Sequence, residues 1–134
     1  YRVGIHMKEY TDKMPTIVIG GTVQDFFGEY MAGGRIIVLN KFFEDNPPTR
    51  LSCFIGTGMH GGVIYVHGEV ELHQIGAEVA VASPSGEETK LIEEKVRLFS
   101  RIFGLTDAPD RLKNVPVFKL HPKSSRPYGK LYAY

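Results

Sequence analysis

Residues 55–66 read IGTGMHGGVIYV. Gly56, Gly58 and Gly61 stand at G-x-G-x-x-G spacing, the spacing of a dinucleotide-binding loop. Such a loop must leave a strand and open a helix, because the helix N-terminus holds the pyrophosphate. Here Gly61 and Gly62 are followed by Val63, Ile64, Tyr65 and Val66, all β-formers, and then by Gly68, which weakens any helix started there. The context fails, so these glycines belong to something else.

Internal repetition supplies the reading. Residues 26–40, FFGEYMAGGRIIVLN, align with residues 54–68, FIGTGMHGGVIYVHG. The identical pairs are Phe26/Phe54, Gly28/Gly56, Met31/Met59, Gly33/Gly61, Gly34/Gly62, Ile36/Ile64 and Val38/Val66. Gly58 faces Tyr30 in this alignment and falls outside the identities. A glycine turn therefore feeds a short strand, twice, in the same direction. The spacing predicts a mainly β fold: a right-handed, single-stranded parallel β-helix. Gly28, Gly33, Gly34, Gly56, Gly61 and Gly62 would form its corners, with alternate Ile and Val pointing inward. TIVIGG (16–21) reads as a weaker copy of RIIVLN (35–40), and AEVAVAS (77–83) as a degenerate later one. Residues 41–52, with Asn46-Pro47-Pro48, read as a loop bulging from one corner. An antiparallel sandwich with glycine-rich turns is the competing architecture.

Residues 85–103 read as a helix. Ser85 and Glu88 have the capping-box spacing, and Gly104 is a natural stop. Leu91, Ile92, Lys95, Leu98, Phe99, Ile102 and Phe103 fall near one face, with Glu93, Glu94 and Arg97 outside it. Its expected role is to cap the open end of the β-helix; binding a partner is the alternative. Residues 114–122 read as a short extended segment. Residues 123–134, basic and aromatic, read as a docking tail, and residues 1–15 as an incomplete N-terminal rung. The whole chain, 1–134, is expected to be one domain.

The composition narrows the function classes. A length of 134 residues with 43% hydrophobic content allows one modest core. A net charge of +1 gives no bulk attraction to nucleic acid or acidic membranes, and neither is expected as a partner. Cys53 is the sole cysteine, which excludes a disulfide framework, a cysteine-based metal site or an iron–sulfur cluster held by this chain alone. No apolar run approaches the roughly 20 residues of a membrane span. No secretory signal is visible, so a cytoplasmic location is expected, although the chain begins at Tyr1 rather than Met.

Candidate chemistry is sparse. His67, Glu69, Glu71 and His73, in HGEVELH, would share one face of a strand and supply donors for a divalent metal such as zinc; a solvated strand face is the preferred reading. His60 sits alone at a turn, and His6 and His121 are scattered. Asp25, Glu29 and Arg35 near one corner would suit a polysaccharide-active β-helix. Cys53 is expected to pack as a small apolar residue. No catalytic, cofactor-binding or metal residue is assigned.

FGEYMAGGRIIVLN and IGTGMHGGVIYVHGEV closely resemble the glycine-rich C-terminal domain of glutamate synthase large subunits, the GXGXG domain. FKLHPKSSRPYGKLY resembles the end of the split, archaeal-type version, where this domain is a separate chain. The resemblance covers about residues 16–132 and extends to the related glycine-rich component of formylmethanofuran dehydrogenase. It implies a non-catalytic scaffold in an oxidoreductase complex serving glutamate biosynthesis and ammonia assimilation. The amidotransferase and FMN-binding synthase chains would be its partners, FMN and iron–sulfur centres would sit on those chains, and homo-oligomers are admitted. The alternatives are a formylmethanofuran dehydrogenase component, or an independent nucleotide- or carbohydrate-binding protein.

Overall fold

A computed structural model describes residues 1–40 and 53–124. The elements in chain order are β1 (Thr16–Ile19), β2 (Ala32–Val38), β3 (Gly61–His67), a single 3-10 turn (Leu72–Gln74), β4 (Val79–Ala82), α1 (Gly86–Phe103), α2 (Ala108–Leu112) and β5 (Val117–Pro122).

The strands form one five-stranded sheet in the order β1-β2-β3-β5-β4. β1, β2 and β3 run parallel. Their register reproduces the sequence repeat: Ile17 pairs with Ile36 and Ile36 with Ile64, while Ile19 pairs with Val38 and Val38 with Val66. β5 then runs antiparallel to both β3 and β4. The expected parallel β-helix is thereby overturned: among the described residues the architecture is an open mixed sheet with two helices. The physical reason lies in β5. The chain returns from α2 against the free edge of β3, where Val66 faces Phe118 and Ile64 faces Leu120, and this occupies the hydrogen-bonding groups that a further parallel rung would need. Residues 77–83 do contain a strand, β4, but it pairs antiparallel with β5 rather than forming another rung.

Alternation along the strands gives the sheet two apolar faces. Ile36, Val38, Ile64, Val66 and Leu120 pack on one side with Phe27, Met31, Ile55 and Met59 from the glycine turns. Ile37, Leu39 and Tyr65 pack on the other with Ile92 and Val96 of α1 and Leu112 of α2. Fully burying each such Ile, Leu or Val stabilises the fold by about 1.5–3 kcal/mol before entropy is counted.

α1 begins and ends as its residues require. Ser85 Oγ accepts from Glu88 N–H at 3.1 Å, Ser85 N–H donates to Glu88 Oε1 at 3.1 Å, and Gly104 closes the helix at φ 66°. Two expectations about it are corrected. The helix lies across a sheet face, not over the end of a coil. Its buried residues are Ile92, Val96 and Ser100, with Phe99 half-buried, whereas Leu98, Ile102 and Phe103 are exposed. The inward stripe is set by what the sheet offers, and Tyr65 with Ile37 meets the Ile92–Val96 side. The expected loop at 41–52 lies outside the described residues, and so does all of the expected docking tail beyond Ser124.

Candidate functional site

Three turns with one conformation stand on the side of the sheet away from the helices. They are RVGIHM (2–7), FFGEYM (26–31) and FIGTGM (54–59). In each, the first, third and fifth residues have positive φ: Arg2, Gly4 and His6; Phe26, Gly28 and Tyr30; Phe54, Gly56 and Gly58. Gly58 therefore occupies the place of Tyr30 and His6 and belongs to the repeat after all. The N-terminal copy lies within residues 1–15, which the sequence reading takes only as an incomplete rung; its Gly4 and Met7 keep the Gly-x-x-Met spacing of the other two turns.

The turns are joined by the same backbone bonds. Gly28 N–H donates to Val3 O at 2.7 Å, and Gly56 N–H to Phe27 O at 2.9 Å. His6 N–H donates to Glu29 O at 3.0 Å, and Tyr30 N–H to Thr57 O at 2.8 Å. These bonds hold non-glycine residues in a left-handed conformation that costs roughly 1–2 kcal/mol each. Gly28 and Gly56 sit at the tightest points, where a Cβ would come within 2.6 Å of Ile64 Cδ1 and 2.7 Å of Val79 Cγ2. Gly34 and Gly62, also at positive φ, start the strands beside Gly33 and Gly61. At Gly61 the constraint is close approach: an added Cβ would overlap the Ala32 carbonyl.

Because the turns stack, their outward side chains form columns. The Phe26 and Phe54 rings lie parallel at 4.8 Å, and the Arg2 guanidinium sits 5.5 Å from the Phe26 centroid. His6 stacks on Tyr30 at 5.4 Å, and a Cβ on Gly58 would strike the Tyr30 ring. Phe54, Tyr30 and Tyr1 remain exposed, so the columns present apolar ring surface to their surroundings.

The opposite face carries a polar junction. Glu88 Oε2 accepts from the Tyr65 hydroxyl, and Glu88 Oε1 lies 2.9 Å from Lys119 Nζ. Burial works to raise the Glu88 carboxyl, but the bonds from Tyr65, Lys119 and the Ser85 backbone outweigh it and bring it down to about 2. Burial, followed by the bond to Glu88 and its charge, raises the Tyr65 phenol well above its ordinary value, with Arg35 pulling weakly the other way. This junction locks the start of α1 onto β3 and β5. Sequence reasoning finds Glu88 as a capping residue alone.

His67, at the end of β3, is buried. Its Nδ1 donates to Val38 O at 3.2 Å, and Asn40 Nδ2 donates to the His67 carbonyl at 3.1 Å. Burial lowers its pKa against the opposing effect of the Val38 bond. The supposed strand face of His67, Glu69, Glu71 and His73 does not form. β3 ends at His67, Gly68 turns at φ 100°, and a 3-10 turn begins at Leu72. Glu71 and His73 instead pair with each other at 3.1 Å on the surface. Among the described residues no cluster of three or more His, Cys, Asp or Glu could hold a metal.

The remaining candidates are engaged in the fold. Asp25 Oδ1 accepts from Cys53 N–H at 2.8 Å, linking two turns. Glu29 is buried 3.6 Å from Arg2 Nε. Arg35 donates to Thr16 Oγ1 at 3.2 Å across the β1–β2 pair. Thus Asp25, Glu29 and Arg35 meet three different partners, not one another. Cys53 is half-buried with a free thiol. The His60 ring nitrogen Nδ1 lies 3.4 Å from Gly58 O, within its own turn. His121 Nδ1 lies 3.1 Å from Pro122 O. Among the described residues no helix is long and apolar enough to cross a membrane.

The chain is 45% identical over 134 residues to an uncharacterized protein of Methanocaldococcus jannaschii. The match takes in 98% of this chain and 51% of that protein, so the chain spans about half the length of the curated relative it matches. The family model described as GXGXG motif matches residues 1–118, which takes in all three stacked turns and the three parallel strands. The chain belongs to the GXGXG motif family.

Proposed function

We propose that this chain is a non-catalytic structural module of a glutamate-synthase-like complex, acting in glutamate biosynthesis and ammonia assimilation. The observation that carries the reading is the family match over residues 1–118, which coincides with the stacked turns. The use made of polar groups supports it. Asp25, Glu29, Arg35 and Glu88 each hold one part of the fold to another. A rigid module of this kind contributes to catalysis by keeping other domains in register, since reacting groups tolerate displacements of only about 1 Å. The amidotransferase and FMN-binding synthase chains are its proposed partners, and the flavin and iron–sulfur centres are assigned to them.

The test is affinity capture of the tagged chain from its source cells, with identification of what accompanies it and a flavin spectrum of the eluate. Co-elution of an FMN-containing synthase and a glutaminase supports the proposal. Co-elution of a tungsten- or molybdenum-containing oxidoreductase would assign the chain to the formylmethanofuran dehydrogenase relative. Flavin bound by the isolated chain would overturn the non-catalytic reading.

A further inference from the structure

A cavity of about 420 Å³ lies between α1, α2 and the His67 end of the sheet. Its walls include Ile92, Val96, Leu112, Val115 and Val117, and the His67 ring forms part of its lining. The size is within the range of small-molecule sites, and the lining combines apolar walls with the His67 ring and several exposed polar residues. The rim is balanced: Glu93 and Asp110 offset Arg97 and Lys113, and Glu93 lies 3.7 Å from Arg97. A ligand of high net charge gains nothing there.

His67 specifies the polar end of the occupant. Its ring is almost wholly buried, at 3% exposure. Nδ1 faces the Val38 carbonyl, which can only accept, so Nδ1 carries the proton. The neutral ring then presents Nε2 as a lone-pair acceptor, and His67 is part of the cavity lining. A hydroxyl brought into the cavity can donate to that acceptor.

We propose that this cavity binds a small uncharged molecule with a flat or branched apolar body and one hydroxyl, the hydroxyl donating to His67 Nε2. This assignment is independent of any role in a larger complex, because α1, α2 and β3 build the site within one chain.

The test uses the full chain and two probes of similar shape, 4-methylphenol and 4-methylanisole, followed by calorimetry and by ring 15N shifts of labelled histidine. The expected result is saturable binding of 4-methylphenol, with an upfield shift of the His67 Nε2 resonance. Binding of 4-methylanisole, which lacks the donor, should be about tenfold weaker. His67→Leu should lose about tenfold for the phenol and nothing for the anisole. Ile92→Trp, which fills the cavity, should abolish binding of both. Equal affinity for the two probes, retention of binding in Ile92→Trp, or no saturation of the phenol by about 10 mM would each overturn the assignment. Should a variant fail to fold, the comparison of the two probes on the unaltered chain decides the matter alone.

Discussion

Tyr65, on the central strand β3, donates its hydroxyl to Oε2 of Glu88, the third residue of α1, while Lys119 on β5 holds the other carboxylate oxygen at 2.9 Å. One carboxylate therefore closes the helix cap and joins the helix to two neighbouring strands. Tyr65 and Lys119 are register partners, so the arrangement depends on the antiparallel return of β5.

Glu88→Gln should lower stability by about 1–3 kcal/mol at pH 7, the range for hydrogen bonds to a charged group. The Glu88 carboxyl is held at about 2 in the folded chain against an ordinary value of 4.5. Its contribution is thus present above about pH 4.5 and is lost as pH falls through about 2. Urea titrations should show the two proteins converging over that window. A gap that persists unchanged below pH 2 would refute the assignment.

Tyr65 gives the opposite sign. Its phenol is raised in the folded chain, so the stability linked to it is present below the ordinary tyrosine value of 10.0 and declines as pH rises past it. Tyr65→Phe should flatten that alkaline decline and cost about 1 kcal/mol at pH 7. Melting curves at pH 7 and pH 10.5 for both proteins would measure it.

Gly61→Ala should destabilise by about 2–4 kcal/mol, because the new Cβ meets the Ala32 carbonyl and backbone cannot swing aside. Gly86→Ala is the control. Nothing lies within 4 Å of a Cβ there, the residue opens α1, and alanine favours the helix, so the change should be neutral or stabilising by up to about 1 kcal/mol. Thermal melts that rank Gly61→Ala with Gly86→Ala would contradict the packing described.

At residue 54 the usual order of alanine above glycine should reverse. Phe54 holds φ 63° and stacks on Phe26. Both truncations lose the stack, but only glycine relieves the left-handed strain. Phe54→Gly is expected to be about 1 kcal/mol more stable than Phe54→Ala. Chemical denaturation of the pair is the measurement, and alanine coming out ahead would refute the strain.

His67 predicts acid sensitivity near neutrality. Burial lowers its pKa below 6.5, so the unfolded chain takes up a proton that the folded chain resists. The linked stability is present above about pH 6.5 and falls as pH drops below it. Glu93, Arg97, Asp110 and Lys113 share the cavity, yet His67→Leu alone should remove the slope between pH 7 and pH 5. Stability curves for the two proteins over that interval decide it.

Much of the parallel half of the fold was legible. The identities Ile36/Ile64 and Val38/Val66 became strand register, because identical turns launch identical strands from equivalent points. Residues 16–19 joined them as β1 through the weaker match to residues 35–38. The helix ends were legible from Ser85, Glu88 and Gly104, since capping is local chemistry. The inward face of α1 differs from expectation at Leu98, Ile102 and Phe103, because periodicity states that a stripe exists but not which part of it the sheet will cover.

The candidate site was less legible. The strand face at 67–73 failed when Gly68 and the 3-10 turn broke the alternation. The Glu88 junction brings residues 65, 88 and 119 together, and no local pattern joins positions so far apart. The His67 cavity exists because α1 and α2 lean on the sheet beside it.

By itself, then, the sequence determined two of the three glycine turns, the parallel strands and the limits of α1. All of these depend on backbone conformations or pairings that neighbouring residues specify. Tertiary structure alone decided that the chain would turn back. β5 takes the free edge of β3 in the antiparallel sense, converting a set of repeats into a mixed sheet. That choice is a competition between distant segments for the same hydrogen-bonding edge, and burial of Phe118 and Leu120 against Val66 and Ile64 settles it.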